Sequence, residues 1–182
     1  MLAASLLFFV RLGTTPPPAV PHREGFGPWR LGMTREEVAA VAEYEPYTPV
    51  ASTGGLETRN GLFAGQKATV SFIFGEKGLR LIQIWAYEGQ SVDEAVSAFF
   101  RVYQHLESTC GELETELGLP EHASASQFHD AVEKALSEVP PRRPAKLQLA
   151  PLEKSPGAAV FATFMTQPQV RNVYVFLYYR AP

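Results

Sequence analysis

The chain predicts an α+β domain, an antiparallel sheet with helices packed on one face. Three observations carry that expectation. Two helix starts are written as capping boxes, apolar residues alternate with period two on either side of a long stripe with helical period, and the element order is helix, three strands, two helices, three strands. That order leaves a tandem of two related units open, although no residue-level repeat accompanies it.

The first helix start lies in GPWRLGMTREEVAAV, residues 27–41. Thr34 caps it, Glu37 three residues on returns a bond to the cap amide, and Met33 is placed to staple onto Val38. The helix is expected to run to about Tyr44 and to stop before Pro46. Residues 22–32 read as a loop and a short strand ending at Gly32. A phosphate cradle would need Gly-x-Gly-x-x-Gly or Gly-x-x-x-x-Gly-Lys, whereas GFGPWRLG offers Gly25, Gly27 and Gly32, with Pro28 and Trp29 removing a donor and adding bulk. The glycines are punctuation.

From Tyr47 to Tyr87 the pattern is β. GLETRNGLF supplies a strand with Asn60-Gly61 as a turn or bulge signal. KATVSFIF sets Ala68, Val70, Phe72 and Phe74 against Thr69, Ser71 and Ile73, and GEKG forms a hairpin loop. LRLIQIWAY then sets Ile82, Ile84 and Ala86 against Leu81, Gln83, Trp85 and Tyr87. Ser91 and Glu94 form the second capping box, and Val92, Val96, Phe99, Tyr103, Leu106, Cys110, Leu113 and Leu117 extend one apolar stripe until Gly118 and Pro120 end the helix. Another helix follows from about Ser124 to Ser137, burying Phe128, Ala131, Val132 and Leu136. PPRRPAK, residues 140–146, is a proline-fixed connector whose charges are most simply solvated, the alternative being a small patch that binds anionic groups. AKLQLAP, GAAVFATFM and VRNVYVFLYY close the chain as strands. In the last, Val173, Val175, Leu177 and Tyr179 alternate with Tyr174, Phe176 and Tyr178, so both faces are apolar and the second is either covered by helices or open to a partner.

Composition bounds the function. The chain has 182 residues, 46% of them hydrophobic, which suffices for one core and is short for two domains. Residues 1–21 form a signal-like apolar segment and Pro-rich linker, and 22–182 a single domain. MLAASLLFFV is too short to span a bilayer and is followed by TTPPPAVP; no Lys or Arg precedes it. This pattern points to an exported chain, periplasmic or secreted, without a stable membrane span once matured, the cytoplasm being the alternative. A net charge of −3 with scattered Lys and Arg gives no footprint for nucleic acid. Cys110 is the single cysteine, so no intramolecular disulfide or zinc cluster can form, and no cofactor is expected. Cys110 sits in the apolar stripe, and His105, about 140° around the helix, cannot pair with it within that element. His122 and His129 lack a well-spaced third ligand, so no metal site is assigned. Gly-x-Ser-x-Gly and His-Glu-x-x-His are absent, and no catalytic residue is assigned.

LGMTREEVAAV resembles the Gly-Met-Thr, Glu-x-Val helix start of the small outer-membrane assembly lipoproteins (BamE, also called SmpA or OmlA), and FIFGEKGLRLIQI is similar to their hairpin. The β-lactamase-inhibitor proteins share that helix-pair and sheet architecture. The resemblance covers residues 28–88. AEYEP stands where the family has Leu-Gly-x-Pro, and the lipid-bearing cysteine is absent. The resemblance implies an exported, non-enzymatic scaffold or binding module. The sequence thus favours a module that presents an aromatic sheet face to a protein partner, with Trp85 and Tyr87 as anchors. The alternative is a carrier that holds a small apolar ligand between sheet and helices.

Overall fold

A computed structural model describes residues 24–140 and 142–182. The apolar run and Pro-rich stretch of residues 1–21 lie outside the described residues. The chain opens with a tight hairpin, β1 (Gly25–Phe26) and β2 (Trp29–Arg30), followed by helix α1 (Arg35–Ala39) and a 3-10 turn at Ala42–Tyr44. Strands β3 (Tyr47–Val50), β4 (Gly55–Phe63), β5 (Gln66–Gly75) and β6 (Gly78–Gly89) lead into α2 (Val92–Cys110). Then come β7 (Leu113–Thr115), α3 (Ala125–Ser137), β8 (Lys146–Pro151), β9 (Ala159–Gln167) and β10 (Asn172–Arg180). Apart from the opening hairpin, all strands join one eight-stranded antiparallel sheet, ordered β3-β4-β5-β6-β10-β9-β8-β7. The α+β class read from the sequence is the observed one.

The strand order is mirrored about its centre. Each half is a meander whose last strand, β6 or β10, lies innermost, and these two strands pair with each other. The helices cover one face. Phe99 of α2 meets Phe164 of β9 at 5.6 Å and Phe128 of α3 at 5.5 Å, so α2 is clamped between sheet and α3. On the other half the opening hairpin does the covering: Trp29 packs on Phe72 at 4.9 Å and on Tyr44 at 4.7 Å, and Phe26 on Phe63 and Tyr179. The hairpin is tied to β6 because Gly32 N–H donates to Leu79 O and Leu79 N–H to Met33 O. Gly78 permits this approach: its φ is +96°, and a Cβ there would meet Gly32 O at 2.3 Å.

The capping box expected at Thr34 and the helix start expected at about Ser124 are both observed. Thr34 Oγ1 accepts from Glu37 N–H and the Glu37 carboxylate accepts from Thr34 N–H; Ser124 and Gln127 do the same for α3. Two helix lengths differ from the sequence reading. The chain leaves α1 early, at Val41 (φ −79°, ψ 81°), and its 3-10 turn brings Tyr44 onto Trp29. The α2 stripe stops at Cys110, because Gly111 takes φ +80°, and Leu113 belongs to β7 instead of a further helical turn. In β4 the register shifts between Thr58 and Gly61, placing the bulge where Asn60-Gly61 signalled it. Gly61 cannot be replaced cheaply, since a Cβ there would meet Val70 Cγ2 at 2.5 Å.

The Phe99 contacts give a direct test. Phe99→Ala should lower unfolding free energy by about 3–5 kcal/mol, measured by urea denaturation; a loss of under about 1 kcal/mol would mean that α2 is not held by this aromatic cluster.

Candidate functional site

Among the described residues, no element covers the sheet face opposite the helices. Cross-strand pairing places Trp85 beside Phe176, Gln83 beside Tyr178 and Leu81 beside Arg180 on that face, with Tyr174, Met165 and Phe161 alongside. Their rings form a connected layer. Phe161 stacks on Tyr178 at 4.6 Å, Tyr178 neighbours Phe176 at 5.8 Å, Tyr174 stacks on Phe176 at 5.7 Å, and Trp85 meets Phe176 edge to face at 4.9 Å. Phe176 is only 6% exposed with no helix over it, because Trp85, Tyr174, Tyr178 and the strand neighbour Thr163 surround it. The Arg180 guanidinium lies 6.0 Å from the Phe161 ring. Burial among these rings pushes the Tyr178 phenol above its ordinary value.

Trp85 is fixed by a line of side chains across three strands. Its Nε1–H donates to Ser71 Oγ at 3.2 Å, and that hydroxyl donates to Glu57 Oε2 at 3.3 Å. Towards β10 the indole abuts the ring layer. Towards β5 and β4 it walls a cleft of about 340 Å³ shared with Glu57, Arg59, Thr69 and Glu88.

Tyr87 is placed differently from the sequence reading, which set it on the same face as Trp85. The register between β6 and β10 shifts here: Trp85 pairs with Phe176 but Tyr87 with Val175, so Ala86 is an extra residue and Tyr87 returns to the helix face. There its hydroxyl accepts from Ser91 N–H and donates to Glu94, each at 3.1 Å. The expected Ser91–Glu94 capping box is therefore rerouted: Ser91 Oγ still accepts from Glu94 N–H, but the Glu94 carboxylate reaches the cap amide only through Tyr87. Burial is the main cause holding the Tyr87 phenol above its usual range. The ring layer partners of Trp85, namely Tyr174, Phe176, Tyr178 and Phe161, are the residues that single-strand reading did not assemble, because only the register of three strands brings them together.

The three histidines among the described residues are spread across the molecule. His105 and Cys110, which cannot pair within α2, line one cavity of about 180 Å³ with Phe26, Thr109 and Tyr179. His105 Nε2 shares a hydrogen bond of 2.9 Å with the Tyr179 hydroxyl and packs edge-on against Phe63. Burial lowers the His105 pKa and raises that of Tyr179. His122 lies outside α3, its Nδ1 3.1 Å from Glu107, which also accepts from Tyr103. His129 lies near Asp130 and Glu133 on the exposed side of α3, an arrangement common on solvated helices. No helix of the described residues is long and apolar enough to cross a membrane. Comparison with protein-family models, curated proteins and solved structures finds no match to the chain.

Two predictions follow from these placements. Tyr87→Phe should cost about 1 kcal/mol and weaken hydrogen-exchange protection in the first turn of α2; unchanged protection would mean that the hydroxyl bridge does not hold the cap. For His105 the folded pKa is lowered, so the unfolded chain binds the proton first as pH falls through about 6.5. Its stabilising contribution is complete above that pH and declines below it. Denaturation at about pH 7.5 and about pH 5 should show a loss that His105→Phe lacks, and equal losses in both proteins would exclude His105 as its source.

Proposed function

We propose that the protein is an exported, non-enzymatic interaction module that presents its uncovered aromatic sheet face to a protein partner. The observation that carries this reading is the ring layer of Trp85, Tyr174, Phe176, Tyr178 and Phe161, which no described element covers. Large aromatics dominate the energetics of protein interfaces, and contiguous apolar patches on a folded surface mark contact sites. Rings that stack on one another along β10 and between β9 and β10 present their edges, leaving ridges and gaps suited to interdigitating side chains. Trp85 remains an anchor; Tyr87 leaves that role because its hydroxyl is committed to the cap of α2.

Export and an envelope setting rest on the apolar run of residues 1–10 and on the resemblance of residues 28–88 to the outer-membrane assembly lipoproteins. The carrier reading is the weaker one. The cavity between hairpin, α2 and β10 has about 180 Å³, below the roughly 300–1,000 Å³ of ordinary ligand sites, and the larger one of about 370 Å³ beside α2 and β7 is lined by Glu107, Glu112, Glu121 and His122, polar and charged groups that do not suit an apolar ligand. Catalysis has no support from His105, which is enclosed by Phe26, Phe63 and Tyr179.

The test uses a photo-reactive phenylalanine analogue at position 178, with position 130 on α3 as control. A discrete protein adduct should form from 178 and not from 130, and Trp85→Ala with Phe161→Ala should remove it while the protein stays folded. No adduct, or equal adducts from both positions, would refute the docking face. Cell fractionation with intact mass tests export: a periplasmic chain lacking about twenty N-terminal residues is expected, and an uncleaved cytoplasmic chain would refute it.

A further inference from the structure

The cleft beside Trp85 differs from the rest of the open face. Most of that face is rings, but here two carboxylates, Glu57 and Glu88, stand with one guanidinium, Arg59, around the exposed flank of the indole. The cleft carries negative charge in excess. Glu57 is held in place: Ser71 donates to its Oε2, and the same hydroxyl receives the indole N–H, so ring and carboxylate are set as a unit. Glu88 is exposed and pairs across the strands with Tyr174, beside the same indole. Arg59 approaches Glu57 at 3.7 Å through Nε, yet its side chain is 86% exposed. An ion pair so open to solvent holds its geometry weakly, and Arg59 can leave without uncovering a buried charge.

We propose that this cleft is the specificity pocket of the docking face and that it takes an arginine side chain of the partner protein. The inference rests on the docking reading above and names the chemistry of the partner: an arginine flanked by apolar residues. A guanidinium entering the cleft stacks its plane on the Trp85 indole, the best ring for a cation, and donates to Glu57 and Glu88. Its neighbours along the partner chain then lie on Phe176 and Tyr178. Arg59 occupies the same electrostatic niche in the free protein and competes with the incoming cation. Removing Arg59 therefore strengthens binding, the opposite of what loss of an ordinary interface residue does.

The experiment titrates the ¹⁵N-labelled protein with N-acetyl-arginine methylamide and, separately, with its uncharged citrulline counterpart. It follows the Trp85 indole cross-peak, with that of buried Trp29 as internal control. The arginine probe should shift the Trp85 signal saturably in the millimolar range while citrulline leaves it in place. Arg59→Ala should tighten binding about three- to tenfold, and Glu57→Gln with Glu88→Gln should weaken it by about tenfold or more, in line with one lost cation contact. Glutamine keeps the bond from Ser71, and an unmoved Trp29 signal shows that each variant is folded. Equal shifts with both probes, no shift with either, or weaker binding in Arg59→Ala would overturn the inference. Cross-linking from position 178 separates this failure from that of the docking face. Adducts that persist unchanged in Glu57→Gln/Glu88→Gln would remove the arginine pocket alone, whereas their absence from the unmodified protein removes the face itself.

Discussion

The pairing of β6 with β10 is the constraint on which the other features depend. These strands are the last of their meanders, and joining them turns two half-sheets into one eight-stranded sheet. Each carries large apolar groups on both faces: Ile82, Ile84, Leu177 and Tyr179 towards the helices, Leu81, Trp85, Phe176 and Tyr178 away from them. Helix α2 lies against this pair, and its aromatic contacts to α3 and β9 close the core over the second half. The opening hairpin closes it over the first, with Phe26 reaching both Phe63 of β4 and Tyr179 of β10. The β6–β10 contact joins chain segments separated by all of α2, β7, α3, β8 and β9, and such long-range pairings form late relative to local hairpins.

One extra residue in that pairing decides which side chains are available. Without the shift at Ala86, Tyr87 would stand beside Trp85 on the open face; with it, Tyr87 ties the end of β6 to the start of α2. Strict alternation read along one strand cannot detect this, since neither Gly nor Pro marks the position. The signal that was present is proximity: Tyr87 precedes the cap residue Ser91 by four positions, close enough for its hydroxyl to reach the cap. The bulge in β4 shows the contrast. There Asn60-Gly61 wrote the irregularity into the sequence, and the close approach of Val70 requires the glycine.

The same distinction explains how much of the rest was legible. The capping box at Thr34, the helix start at about Ser124, and the alternation of β5 and β10 are local patterns, and the structure keeps them. The apolar stripe running past Cys110 to Leu117 also looks local, yet a glycine at φ +80° ends the helix, Leu113 serves a strand and Leu117 lies in the turn beyond it. The short β1, β2 and β3 carry too few residues to show a period. The candidate site was half legible. Trp85 stands out in one strand, but its line to Ser71 and Glu57 joins residues fourteen positions apart at each step, a spacing set by hairpin register and invisible within any single element.

A sheet with two apolar faces invites association along its edges and across its surface, and this fold limits the first while leaving the second. The edge strands are short: β3 contains Pro49, and β7 spans only Leu113–Thr115. Such edges give an incoming chain little to pair with. On the open face the rings shelter one another, so that Phe176 is nearly as buried as the core without being part of it. A layer already packed in this way has little side-chain freedom left to lose on contact, which lowers the entropic cost of binding. The hydrogen bonds from Trp85 through Ser71 to Glu57 extend the same order into the polar cleft. Arg59 stands outside that order: its side chain is 86% exposed and its pairing with Glu57 is loose, so its displacement disturbs nothing packed beneath it.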